Sequence, residues 1–65
     1  MTPGDFKSAR QALGLTVERL AAAIAVEGRT VRRWEDGTRS IPGPVRVLVG
    51  LAQRSAAVRA LLGIG

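Results

Sequence analysis

The stretch Gly28-Arg29-Thr30-Val31-Arg32-Arg33-Trp34-Glu35-Asp36-Gly37 decides the fold. Nine residues without a proline, closed by a glycine, have the length and the ending of a short helix over Gly28–Asp36. A glycine just past the last turn takes the left-handed conformation that stops a helix. At about 100° per residue, Arg29, Arg32 and Arg33 fall within an arc of about 100°, and Asp36 shares it. Val31, Trp34 and Glu35 point the other way. One side of the rod is rich in guanidinium groups and belongs outside, while the other is apolar, anchored by Trp34, and belongs inside. A solvated basic face is the plain account of such a pattern. Three arginines crowded on one short face repel one another, however, and an anion seated against them explains the crowding better.

Upstream, Thr16 caps a second helix whose buried stripe is Val17, Leu20, Ala21 and Ile24, an i, i+3, i+4, i+7 series. A tight connection from Ala25 to Gly28 joins it to the third. The first helix opens with Thr2 as cap, Pro3 at its first position and Asp5 completing a capping-box pattern. Phe6, Ala9, Arg10 and Leu13 share one of its faces, and Gly14 stops it. Downstream, Thr38 to Pro44 is a turn-rich loop. A fourth helix starts near Pro42 or Pro44 and continues to about Arg54; Ser55 caps a short last helix that Gly63 ends. The expected fold is all-α, a compact bundle of four to five helices forming one domain over residues 1–65, with no strand, repeat or linker.

Two charges sit on stripes that should be buried. Arg10 lies with Phe6 and Leu13, and Glu35 lies beside Val31 and Trp34. A lone charge in a core costs several kcal/mol, so the economical solution is that Arg10 and Glu35 meet and tie the first helix to the third. The alternative leaves both at a wet margin, apart.

Composition narrows the chemistry. A 65-residue chain buries only about 60% of its unfolded surface, so regular helices or a partner chain must help it. With no Cys and no His, the sequence excludes disulfides, Cys/His zinc sites and imidazole or thiol catalysis. Ser8, Ser40 and Ser55 lack an imidazole partner, and Glu35 and Asp36, neighbours on a helix, cannot converge as an acid/base pair. No enzyme, metal or cofactor is expected. Ten Lys+Arg against five Asp+Glu give a net charge of +5, and nine of the ten bases are Arg. That balance suggests a polyanion, and Arg favours bidentate recognition of phosphate or base edges. The longest apolar stretch, Pro42 to Ala52, is short and interrupted by Arg46, so no membrane span is expected. The N-terminus has no basic and apolar leader pattern, and a cytoplasmic protein is expected.

The fourth helix is apolar on more sides than one small core needs. Val45, Leu48, Val49 and Ala52 make one stripe. Val47 and Leu51 make a second, followed by Ala56, Val58, Leu61, Leu62 and Ile64. An exposed apolar patch usually marks an interface, so a two-fold homodimer is expected through a segment of about residues 45–64 (Val47, Leu51, Val58, Leu61 and Leu62), unless the last helix folds back over the second stripe.

The run Leu13-Gly14-Leu15-Thr16, then Leu20-Ala21, Ile24 and Val26, then Arg29 through Gly37, resembles the phage repressor/Cro-type (XRE-like) helix-turn-helix family over about residues 3–52. An Arg/Glu pair like Arg10 and Glu35 also occurs in that family. The resemblance implies a helix-turn-helix over about residues 16–36, with the second helix lying across the DNA backbone and the third entering the major groove. Arg29, Arg32, Arg33 and Glu27 then face base edges. Thr16, Thr30, Arg39, Ser40 and Arg46 take phosphate positions; for Arg46 a plain solvated face is an equal alternative. Arginine pairs bidentately with guanine, so the target would be double-stranded DNA with G·C-containing half-sites in an inverted repeat. The chain departs from the family at Val17, where Gln is usual, at Ala25, where Gly is usual, and at Glu27, where Ser or Asp often caps. Family members of this length include phage repressors, antitoxins and anti-CRISPR-associated regulators, so an autoregulatory repressor of a small operon is expected. The alternative is a basic protein–protein module, of antitoxin or inhibitor type, that binds an acidic partner. A cationic membrane binder fits poorly, because Trp34 turns inward.

Overall fold

Helix signals in the sequence become helices with the expected caps. In the computed structural model, which describes residues 1–64, α1 runs Pro3–Ala12, α2 Val17–Ala23, α3 Gly28–Asp36, α4 Gly43–Arg54 and α5 Ala56–Leu61, with no strand among the described residues. Thr2 accepts from the Asp5 amide at 3.0 Å, while the Asp5 carboxylate accepts from the Thr2 amide at 3.0 Å. Thr16 accepts from the Arg19 amide, and Ser55 from the Val58 amide. Each bond satisfies a donor that the first turn of a helix leaves without an intrahelical partner.

Three of the helix ends share one device. After α1, α2 and α5 the chain turns left-handed at Gly14, Ala25 and Gly63. The next amide then reaches back five residues, from Leu15 to the Arg10 carbonyl, from Val26 to Ala21 and from Ile64 to Arg59. This closure sends the residue after the turn back onto the helix it ends. Leu15 and Ile64 are buried, and Val26 packs against the same cluster, so three stop signals each deliver an apolar side chain to the interior. Ala25 takes this conformation, at φ 59°, without the freedom of glycine.

The core gathers Phe6, Ala9, Leu15, Leu20, Ala21, Val31, Trp34, Val49 and Ile64. Phe6 meets Trp34 edge-on, with ring centroids 5.7 Å apart and planes at 85°. This arrangement adds about 0.5–1.5 kcal/mol to the area the two rings bury. α3 packs on both α1 and α2, and α4 lies between α1 and α5. The last helix does not cover the second stripe of α4: Val47 stays 62% exposed and Leu51 45% exposed. α5 is instead drawn back by the Arg59 guanidinium, which donates to the Ala52 carbonyl at 2.7 Å. Its tail then seals the core with Ile64 and the half-buried Leu62. Ile64, read from the sequence as surplus apolar surface, therefore belongs to the interior.

Candidate nucleic-acid interface

The candidate interface is built on α3, which is fixed from behind. Val31 is fully buried and Trp34 is 4% exposed, held by Phe6 on α1. The other side of the helix carries Arg29, Arg32 and Arg33, all exposed, with Asp36 beside them. The sequence placed these groups on opposite sides, and the structure places them so.

Arg10 and Glu35 meet. Arg10 Nε donates to Glu35 Oε2 at 2.6 Å and Nη2 to Oε1 at 3.2 Å, while Nη1 donates to the Leu15 carbonyl at 2.8 Å. The two side chains are only 11% and 10% exposed. A two-point guanidinium–carboxylate fork fixes direction as well as distance. It sets the roll of α3 against α1, and with it the direction in which the three arginines project. The Leu15 carbonyl was not part of the sequence expectation; it belongs to the turn after α1, which the same guanidinium also holds.

Two of the three outward arginines carry a carboxylate. Arg29 Nε lies 2.6 Å from Glu27 Oε2, and Arg32 Nη2 contacts Glu18 Oε1 from the first turn of α2. Arg33 has no ion pair among the described residues. Sequence spacing assigned only Asp36 to this arc, so the two further acids are a correction to that picture. Glu27 makes no capping bond to α3. Its side chain turns to Arg29 instead. Gly28 leaves the space that the Arg32 side chain uses, since a Cβ there would stand 3.3 Å from Arg32 Nη1. The Glu18 carboxyl is held below its ordinary range, first by its own backbone amide and then, against the cost of desolvation, by Arg32. Asp36 is lowered too, chiefly by the hydroxyl and amide of Thr38, with a smaller contribution from Arg33.

The loop after α3 continues the basic strip. Its first turn is left-handed at Gly37, and the Arg39 amide donates to the Arg33 carbonyl at 3.2 Å, which holds the loop against the end of α3. Thr30, Arg33, Thr38, Arg39 and Ser40 line an open cleft of about 620 Å³. Arg39 and Ser40 also line a neighbouring cleft of about 380 Å³, together with Arg46 at the start of α4. Arg33, Arg39 and Arg46 thus follow one another along two adjoining clefts. Thr16 is exposed at the head of α2, and its hydroxyl, which caps the helix as acceptor, keeps its proton free to donate. No group of three or more His, Cys, Asp or Glu side chains converges as a metal site among the described residues. No helix of the described residues is long and apolar enough to cross a membrane.

Elsewhere, Val47, Leu51 and Leu61 are exposed, whereas Val58 is half-buried and Leu62 packs on the core. Arg46 and Arg54 stand one turn to either side of Gly50 on the exposed flank of α4. No acid follows Asp36 in the chain. Comparison with protein-family models, with curated proteins and with solved structures gives no match.

Proposed function

We propose that this chain is a sequence-specific double-stranded DNA-binding regulator in which α2, the turn and α3 act as a helix-turn-helix. The observation that carries this reading is the division of α3: three exposed arginines on one side, a buried indole on the other. A helix fits the major groove, and guanidinium groups projecting from it match the paired acceptors of guanine. Arg29, Arg32 and Arg33 read base edges, with Glu27 at the start of the same face. Thr16, Thr30, Arg39, Ser40 and Arg46 hold the sugar-phosphate backbone on either side.

A second copy completes the reader. We place the apolar seam at the exposed Val47, Leu51 and Leu61; Val58 is half-buried and Leu62 packs on the core. An antiparallel crossing of two α4 helices at Gly50 would set Arg46 against Arg54 of the other copy, so the seam lies toward Leu51 and Leu61. The dimer reads an inverted repeat with half-sites about one helical turn apart. Autoregulatory repression of a small operon in a bacterial or phage cytoplasm is the role we assign to it. No catalysis is assigned: Glu35 is committed to Arg10, and Asp36 to Thr38.

The test is binding to the region upstream of its own gene and to random duplex, each at two salt concentrations. The upstream site should bind about 10³-fold tighter or more, with log K falling steeply with log salt. A second reading, a module that binds an acidic protein, is favoured by the acid-free stretch after Asp36 and the exposed Val47 and Leu51 between Arg46 and Arg54. It predicts equal, weak binding to both duplexes.

A further inference from the structure

We infer that Glu18 and Glu27 are specificity-determining residues: they park Arg32 and Arg29 on carboxylates that act as stand-ins for phosphate, and favour their release to neutral base edges over phosphate. This rests on the DNA reading above. Its basis is the unequal state of the three arginines. Arg29 is held by Glu27, Arg32 by Glu18, and Arg33 by no carboxylate among the described residues.

The two acids come from different elements. Glu27 immediately precedes α3, and Glu18 reaches across from α2. The Arg32 guanidinium lies back over Gly28, in space that any larger residue would restrict. These pairs are wide open to water, with side chains 58–69% exposed, so each adds little to stability. Their effect falls on the choice of anion. A phosphate offers a parked guanidinium the same kind of partner it already has, and adds a repelling carboxylate nearby. Guanine is neutral, meets no such repulsion, and offers O6 and N7 together to one guanidinium. Random DNA is therefore disfavoured more than the operator, while Arg39, in the loop behind α3, is left to make the first contact with the backbone.

The experiment measures Glu18→Gln, Glu27→Gln and the double variant against the upstream duplex and a random duplex across a salt series. Asp5→Asn, in the first turn of α1 near the cleft that Pro3 lines with Arg39, is the control for loss of one negative charge without release of a guanidinium. Freeing one guanidinium for phosphate steepens the log K against log salt slope by about 0.9, worth up to about eightfold at 0.1 M salt. Each Gln variant should tighten random-duplex binding several-fold beyond Asp5→Asn and lower the ratio of specific to random affinity. The double variant should lower it further. If the wild type discriminates between the duplexes and the Gln variants match Asp5→Asn on both, the parking role is overturned and the DNA reading stands. If the wild type does not discriminate at all, both fall.

Discussion

Removing one partner of the Arg10–Glu35 fork should nearly unfold this protein, while removing both should not. The pair is about nine-tenths shielded, and Glu35 supplies both oxygens to one guanidinium. In Glu35→Ala the Arg10 charge stays in that site with only the Leu15 carbonyl as partner. Breaking one side of a buried pair costs about 3–5 kcal/mol. A chain of 65 residues has about 3–10 kcal/mol in total. At about 4–8 °C per kcal/mol for a domain near this size, the melting point should fall by at least about 12 °C. Arg10→Met with Glu35→Leu replaces the fork by apolar contact with the same stripes and should return to within about 1–2 kcal/mol of wild type. The assay is urea unfolding followed by fluorescence of Trp34, the single Trp, which is buried against Phe6 and senses the same helix packing. A coupling of about 2 kcal/mol or more in the double-mutant cycle is expected. A Glu35→Ala cost below about 1 kcal/mol, or additive single variants, would refute the claim that this pair fixes α3 on α1.

Three further outcomes follow from particular residues. Ala25 holds φ 59° at an exposed position; relief of about 1–2 kcal/mol of left-handed strain outweighs the roughly 0.4–1 kcal/mol of extra unfolded-state freedom, so Ala25→Gly should stabilise by about 0.5–1 kcal/mol in the same titration, and a loss would contradict it. The carboxyls of Asp5, Glu18 and Asp36 are all lowered in the folded chain; their stabilising effect is present above the ordinary carboxylate range near pH 4 and is lost as pH falls through the lowered values, so Asp5→Asn should flatten the acid limb of a melting-point profile, and identical limbs in both proteins would be inconsistent with its capping role. Leu51→Asp should leave the fold intact, because Leu51 is exposed, and shift sedimentation from dimer to monomer; a monomeric wild type at high micromolar concentration would end the dimer reading.

Much of this molecule is legible in its sequence where a rule acts over three or four residues. Thr2, Thr16 and Ser55 cap as their type and spacing dictate, and the two sides of α3 follow from its period. The Arg10–Glu35 pair was legible for a different reason: two charges on apolar stripes have few ways to be satisfied. Leu15 and Ile64 were missed as core residues because they lie outside any helical period. The signal was present, since an apolar residue directly after a stopping glycine is folded back onto its helix. The Glu18–Arg32 contact had no such signal. It joins two helices through a turn whose path depends on how Ala25 behaves, and sequence spacing does not fix that path. The outcome for α5 was open in the same way, decided by the bond from Arg59 to the Ala52 carbonyl rather than by its apolar count.

On the proposed reading, the exposed face of α3 reads bases while the loop behind it holds phosphate. The most direct measurement is the affinity of Arg32→Ala, Arg33→Ala and Arg39→Ala for the upstream duplex and for random duplex, each variant compared with wild type. Loss of a base contact should weaken the upstream site by about 1–3 kcal/mol for Arg32→Ala and Arg33→Ala while leaving random binding much less affected; Arg39→Ala should weaken both about equally. Equal weakening of both duplexes by all three substitutions would contradict the account.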